Sequence, residues 1–239
     1  MHETFAFVEK LPGLYYLNEG DDLIFLVVGS QKAMLVDTGF GKVDLKAEIA
    51  KVTDKPVFLV NTHMHPDHAG GNNQFDLAYK GEKEPAEGWG VNPAKETVSV
   101  PEGHNFDLGG VTIEVIDLKG HTPGSIGLLW IEEKIILSGD AVNPQVWLHL
   151  PHSLPLSVFR DSMQHLLDMR KRWDALYFSH GEGNLIYGPE IVEGLIEAAD
   201  DIISGREVGE PAETHLGHKA MLYQPFGVGF YYDPKKLTD

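Results

Sequence analysis

Thr62-His63-Met64-His65-Pro66-Asp67-His68-Ala69-Gly70-Gly71 follows, after Asn61, the apolar run Val57-Phe58-Leu59-Val60. That run has the length and the branched, aromatic character of a buried strand. Four groups able to bind a metal, on His63, His65, Asp67 and His68, therefore stand at the mouth of a strand. In an extended segment residues two apart project to the same side, so His63 and His65 can face one ion. Pro66 turns the chain, and Asp67 and His68 can then face a second. Imidazole nitrogen and carboxylate oxygen suit zinc or a similar transition metal. The competing reading is a His-rich surface loop in a chain with twelve histidines. The position at a strand end, where sites form, favours a metal site.

Three further candidates share that context. His121 lies in Lys119-Gly-His-Thr-Pro-Gly-Ser125 after the strand-like run Val111 to Leu118, and Asp140 lies in Ser138-Gly-Asp-Ala141 after Lys134 to Leu137. His180 lies in Ser179-His-Gly181 after Ala175 to Phe178. Each alone reads more simply as a cap or a solvated turn. Together the four strand ends point to one edge, because adjacent strands carry their ends side by side.

Around these sites the first third reads as short strands: Gly13 to Leu17, Leu23 to Gly29, Lys32 to Val36 and Pro56 to Val60, with a helix over Val43 to Val52. Residues 81–103 are polar, with Pro85, Pro93 and Pro101, and read as an irregular excursion, either a flap over the site or a surface insertion. Strands resume at Val111 to Leu118, Ser125 to Ile131 and Lys134 to Ser138. Ser157 is placed to cap a helix running to Arg172, and Pro189 opens a second helix that Gly205 stops. Lys219 to Tyr232 reads as a hairpin around Pro225-Phe226-Gly227, either a homodimer edge or a cover for the core. Strand runs interrupted by few helices suggest two packed sheets with helices outside.

His63-x-His65-x-Asp67-His68, then Gly120-His121-Thr-Pro-Gly, Gly139-Asp140 and Ser179-His180-Gly181 occur in the order and similar spacing of the metallo-β-lactamase-fold superfamily of metallohydrolases, which the chain resembles over nearly its whole length. Leu35-Val-Asp-Thr-Gly39 is similar to that family's first sheet motif. The resemblance implies an α/β fold, a four-layer αβ/βα sandwich of two mixed sheets with outer helices, in one domain over 1–239. It implies that His63, His65 and His121 hold a first metal, that Asp67, His68 and His180 hold a second, and that Asp140 bridges them. The ions expected are two Zn²⁺, with Mn²⁺ or iron as alternatives. True β-lactamases of the superfamily carry Cys or Ser at or near the role of Asp140; aspartate resembles the glyoxalase, lactonase and phosphodiesterase branches. Two such ions share a water and lower its pKa towards neutrality, with Asp67 and Asp140 as the catalytic carboxylates. Histidine ligands need an outer acceptor, and Asp37 is the candidate, against a purely structural part in the Asp-Thr-Gly turn. His149 and His152 follow Asp140 closely enough to contact substrate or donate a proton, against ordinary loop histidines. Trp89, Trp147, Phe226 and Tyr231 are candidates for pocket walls or simply for core.

Composition narrows the chemistry. With no cysteine, any metal rests on histidine and carboxylate. A net charge of −17 without a long basic run opposes nucleic-acid binding, and no apolar stretch has the length of a membrane span. The N-terminus has no basic start followed by an apolar core, so the expected location is cytoplasmic and the expected partner a small molecule. The leading expectation is a binuclear hydrolase of an ester, thioester, lactone or phosphodiester. The glyoxalase branch carries a basic helical C-terminal region for glutathione, and the hairpin here argues against that substrate. The alternative implied by the resemblance is a mono-iron persulfide dioxygenase. Di-iron oxygen reductases replace the second signature histidine by glutamate and add a flavin domain, so His65 and the length argue against them. A non-catalytic binding domain is disfavoured by retention of all seven ligands.

Overall fold

The computed structural model describes residues 5–91, 93–181 and 186–238. Its first sheet takes seven strands in chain order: β1 (Val8–Leu11), β2 (Leu14–Glu19), β3 (Asp22–Val28), β4 (Ala33–Val36), β5 (Val57–Val60), β6 (Leu77–Gly81) and β7 (Glu96–Val100). Strands β1 to β4 pair antiparallel through short turns, and β4 to β7 pair parallel. Helix α1 (Leu45–Ala50) connects β4 to β5, and the single turn α2 (Pro66–Ala69) leaves β5. The second half contributes β8 (Asn105–Asp107), β9 (Thr112–Asp117), β10 (Ile126–Trp130), β11 (Ile135–Gly139), β12 (Gln145–Leu148), α3 (Leu156–Asp168), β13 (Ala175–Phe178), α4 (Glu190–Ile203), β14 (Glu210–Glu213), β15 (Lys219–Tyr223) and β16 (Gly229–Tyr232).

The mixed second sheet has the order β13-β11-β10-β9-β8. Alternation along the strands builds the layers. Leu23, Phe25 and Val27 of β3 point into the core between the sheets, where they meet Ile126, Leu128 and Trp130 of β10. Ile24 and Leu26 point the other way, onto Leu45 and Ile49 of α1. On the far side, Leu129 and Ile136 pack against Phe159, Met163 and Leu166 of α3 and Leu195, Ala199 and Ile202 of α4. Side-chain period two with both faces covered explains why β3, β10 and β11 read as unbroken apolar runs. The four expected layers, helix, sheet, sheet and helices, are all present.

Several local expectations change. A third sheet, β12-β16-β15-β14, joins the expected C-terminal hairpin to a segment that the sequence presents only as a loop. The hairpin strands β15 and β16 lie inside that sheet, between β12 and β14, and Phe230 and Tyr232 cover the core of α3 and α4. Within 81–103, residues 96–100 are regular strand pairing with β6. Ser157 is not the cap of α3. Pro155 takes that place, and the Leu156 and Ser157 N–H groups donate to the Lys236 and Leu237 carbonyls at 2.9 Å each. Backbone from the C-terminal tail thus does the work expected of a side chain, and α3 ends at Asp168 rather than Arg172. Among the described residues, no helix is long and apolar enough to cross a membrane.

Candidate metal centre

All the strand-end residues come to one edge of the sandwich. Asp37 follows β4, and His63 and His65 follow β5, while Asp67 and His68 ride on α2. His121, Asp140 and His180 follow β9, β11 and β13, three strands that run the same way in the second sheet. The two sheets are tied here by backbone: Ile126 N–H donates to the Thr62 carbonyl at 2.9 Å, and Leu23 N–H to that of Ser179 at 2.8 Å. A register shift between Leu137 and Gly139, with Gly139 at φ +54°, turns Asp140 off the strand end. A side chain at Gly139 would place its Cβ 2.4 Å from Thr62 Oγ1.

Two donor groups result, each with its ligand atoms within 4.8 Å of one another: His63, His65 and His121, then Asp67, His68, Asp140 and His180. In the first, His65 Nδ1 lies 3.0 Å from His63 Nε2 and 2.9 Å from His121 Nε2. In the second, Asp140 Oδ1 lies 2.9 Å from His180 Nε2 and 3.4 Å from His68 Nε2. Asp140 Oδ2 is 3.8 Å from His121 Nε2, so this carboxylate stands between the groups. Every one of these histidines except His180 is buried.

The outer nitrogens fix which atom faces inward. Thr62 Oγ1 gives its one proton to Asp37 Oδ2 at 2.7 Å, so it accepts from His63 Nδ1–H at 3.2 Å. His68 Nδ1–H donates to Asp37 Oδ2 at 2.8 Å, and His121 Nδ1–H to the Trp147 carbonyl at 2.7 Å. His180 Nδ1 is 3.0 Å from Asp22 Oδ1. Each ring thereby keeps Nε2 for the interior, and His65, facing inward through Nδ1, meets His152 on its other side.

The electrostatics of the groups differ. Burial, reinforced by their neighbouring rings, pushes the pKa of His63 and His65 far down, and burial also lowers His121. These three are neutral, lone-pair donors. Burial opposes charge on His68 too, but Asp140, Asp67 and Asp37 outweigh it and lift its pKa well above the usual value. Likewise burial is overcome at His180, which Asp140 and Asp22 raise to about 10. This second group favours positive charge. His68 Nε2 is buried with no hydrogen bond, facing Asp140 Oδ1 at 3.4 Å, and that oxygen is itself buried against His180 Nε2 at 2.9 Å. Converging lone pairs on buried rings are costly unless a cation satisfies them, so the donor set fits a metal centre.

A cavity of about 570 Å³ opens on the second group, with Asp67, Asp140 and His180 in its lining. Phe40, Trp147, Phe178, Tyr187 and Leu216 supply apolar walls, and Lys42 is the only Lys or Arg side chain in the lining among the described residues. Neither His149 nor His152 lines it. His149 packs between Trp147 and Tyr231 with both ring nitrogens unpartnered, and His152 lies between Trp89 and His65. Of the four candidate wall aromatics, Trp147 is in the wall; the Phe226 side chain lies outside the described residues.

Sequence reasoning missed Asp22 and Glu84, and Trp89, a candidate wall, instead covers His152 and His65. Asp22 opens β3 after a turn that signals only a strand boundary. Glu84, buried in the segment expected to be irregular, accepts from the Met64 and Gly124 N–H groups at 2.9 Å each and from Thr122 Oγ1 at 2.5 Å. No local pattern marks it, since an acid in a polar stretch reads as solvated.

Known proteins bear on this site. One curated relative, a hydroxyacylglutathione hydrolase from Hyphomonas neptunium, is 34% identical over 133 residues, covering 53% of this chain and 49% of that protein. An acyl-coenzyme A thioesterase from Bos taurus, MBLAC2, is 29% identical over 160 residues, covering 50% of this chain and 57% of its own length. The chain thus spans about half the length of these relatives. A solved metallo-beta-lactamase family protein from Thermus thermophilus superposes with a TM-score of 0.67 at 20% identity, over 82% of each chain, which bears on the fold alone. Residues 18–206, which include every residue of both donor groups, match the profile of the metallo-beta-lactamase superfamily, and the chain belongs to that superfamily.

Proposed function

We propose that the protein is a binuclear metal-dependent hydrolase of a small-molecule thioester or related ester. The observation that carries the proposal is the pair of donor groups that meet at Asp140, with His68 Nε2 buried and without a hydrogen bond. His63, His65 and His121 would hold one ion, and Asp67, His68 and His180 the other, with Asp140 shared. When bound, two Zn²⁺, or Mn²⁺ or iron in their place, would supply an acidified water and a positive charge to polarise the substrate carbonyl. Asp67, a quarter exposed, lines the cavity beside Asp140. It is placed to hold the proton taken from water and return it to the leaving group. Oxygen from water adds to the carbonyl carbon, the bond to sulfur or oxygen breaks, and the departing thiolate or alkoxide takes that proton. The aromatic wall from Phe40 to Trp147 would seat the apolar part of the substrate and keep bulk water from it. A thioester is favoured over a lactone or phosphodiester by the names of the two relatives.

Elemental mass spectrometry of protein purified without added metal, with turnover on a thioester, ester and phosphodiester panel, tests this. We expect about two zinc or manganese ions per chain and thioester turnover that Asp140→Ala and His121→Ala abolish while the circular dichroism of the fold persists. About one iron per chain with persulfide oxidation would move the protein to the oxidoreductases. Full hydrolysis by both variants would remove the site.

A further inference from the structure

Four of the five inward-facing histidines lean on fixed acceptors: a threonine hydroxyl, two carboxylates and a backbone carbonyl. His65 alone leans on another imidazole, with His152 Nε2 2.5 Å from its own Nε2. His152 in turn is covered by Trp89, whose ring stacks on it at 4.3 Å and 19° and approaches His65 at 5.0 Å. The two covering residues come from opposite halves of the site. Trp89 N–H donates to the Met64 carbonyl at 3.3 Å, so this residue hangs on the loop that carries His63 and His65. The turn bearing His152 hangs on the other loop: Ser153 Oγ donates to the His121 carbonyl and Leu154 N–H to that of Gly120, both at 2.9 Å. Lys236 Nζ holds the same turn, donating to the Leu150, Pro151 and Ser153 carbonyls at 3.1, 2.8 and 3.2 Å.

We propose that His152, clamped by Trp89, is a positioning residue for His65: its Nε2 accepts the His65 Nε2–H and so commits Nδ1 of that ring to the group formed with His63 and His121. His152 thus has no contact with substrate, consistent with its place outside the cavity lining. The inference rests on the metal reading of the site. An outer acceptor of this kind sets ring tautomer and orientation, and its loss costs roughly 10–100-fold in metal affinity. Because His152 touches only the first donor group, the loss falls on one of the two ions.

Competition titration of zinc between the metal-free protein and a chromophoric chelator resolves the two binding steps. For His152→Ala we expect one step weakened by about 10–100-fold and the other unchanged. In His152→Gln the carboxamide oxygen can still accept, and it recovers most of that loss; should His152→Ala fail to fold, His152→Phe, which keeps a ring against Trp89 but offers no acceptor, carries the test. Two steps identical to the wild type in the acceptor-free variant, or both steps weakened alike, would overturn the positioning role while leaving the metal site standing. A wild type that binds no zinc would remove the metal reading itself, and this inference with it.

Discussion

Asp37 shows how one side chain sets the chemistry of another. Its Oδ1 accepts from Thr62 N–H at 2.8 Å, and its Oδ2 accepts from both Thr62 Oγ1 and His68 Nδ1. The residue sits at φ +65°, a left-handed conformation that aspartate and asparagine tolerate better than most. Asp37→Asn therefore leaves the backbone alone and changes only the acceptor. With an amide nitrogen in place of Oδ2, two donors face a donor, and the His68 ring loses the partner that keeps its Nε2 free for the interior. We expect zinc affinity to fall by about 10–100-fold. Folding stability should fall by about 1–3 kcal/mol for the unpaired buried donors. Zinc titration and urea unfolding measure the two effects separately. Wild-type affinity in a destabilised Asp37→Asn would assign the residue to the Asp-Thr-Gly turn alone.

At the scale of elements, the candidate site is two loops of donor side chains held in register by Glu84. Its carboxylate joins Met64, between His63 and His65, to Thr122 and Gly124 after His121. Burial raises its pKa against these hydrogen bonds, so the group is held at some cost. Glu84→Ala strands two backbone N–H groups and a hydroxyl, and we expect a loss of about 3 kcal/mol, with turnover reduced because the loops part. Urea unfolding that moves by less than about 0.5 kcal/mol would show the loops to be independent. The contrast with the ligands explains what was legible. His63, His65, Asp67 and His68 announce themselves because ligand spacing is local and a strand precedes it. Glu84 acts across sequence distance, so only folding reveals its partners. The same holds for β7 and β12, short runs set among prolines, and for α3, whose N-terminal N–H groups find backbone partners in the C-terminal tail.

For the whole molecule, the layers were legible because period-two alternation with both faces covered leaves long apolar runs, and because turns separate them cleanly. The third sheet was not: β14 is polar and exposed, and β12 pairs with β16 from the far end of the chain. That sheet also carries the chain's own character. Strands β14 to β16 lie beyond residues 18–206, while Trp147 of β12 and His215 and Leu216 after β14 form one wall of the cavity. Under the proposed function, substrate selection would thus sit partly on an element outside the family match. The two donor groups act at the same scale. Each takes donor side chains from both sheets, His63 and His65 with His121, then Asp67 and His68 with Asp140 and His180. Bound ions would therefore cross-link halves of the sandwich that otherwise meet through the core, a few backbone bonds and side-chain ties such as Glu84 and the Asp22–His180 pair. A ligand that binds only the folded state at 100 times its Kd adds about 2.7 kcal/mol per site, and in a chain of this size each kcal/mol moves the Tm by roughly 2–4 °C. Stripping zinc with a chelator should therefore lower the Tm by on the order of 10 °C. Asp140→Ala, lacking the shared carboxylate, should show much less of this difference between metal-loaded and stripped samples. Equal melting of stripped and zinc-loaded wild type in differential scanning calorimetry would mean that the ions, if bound, do not join the two sheets.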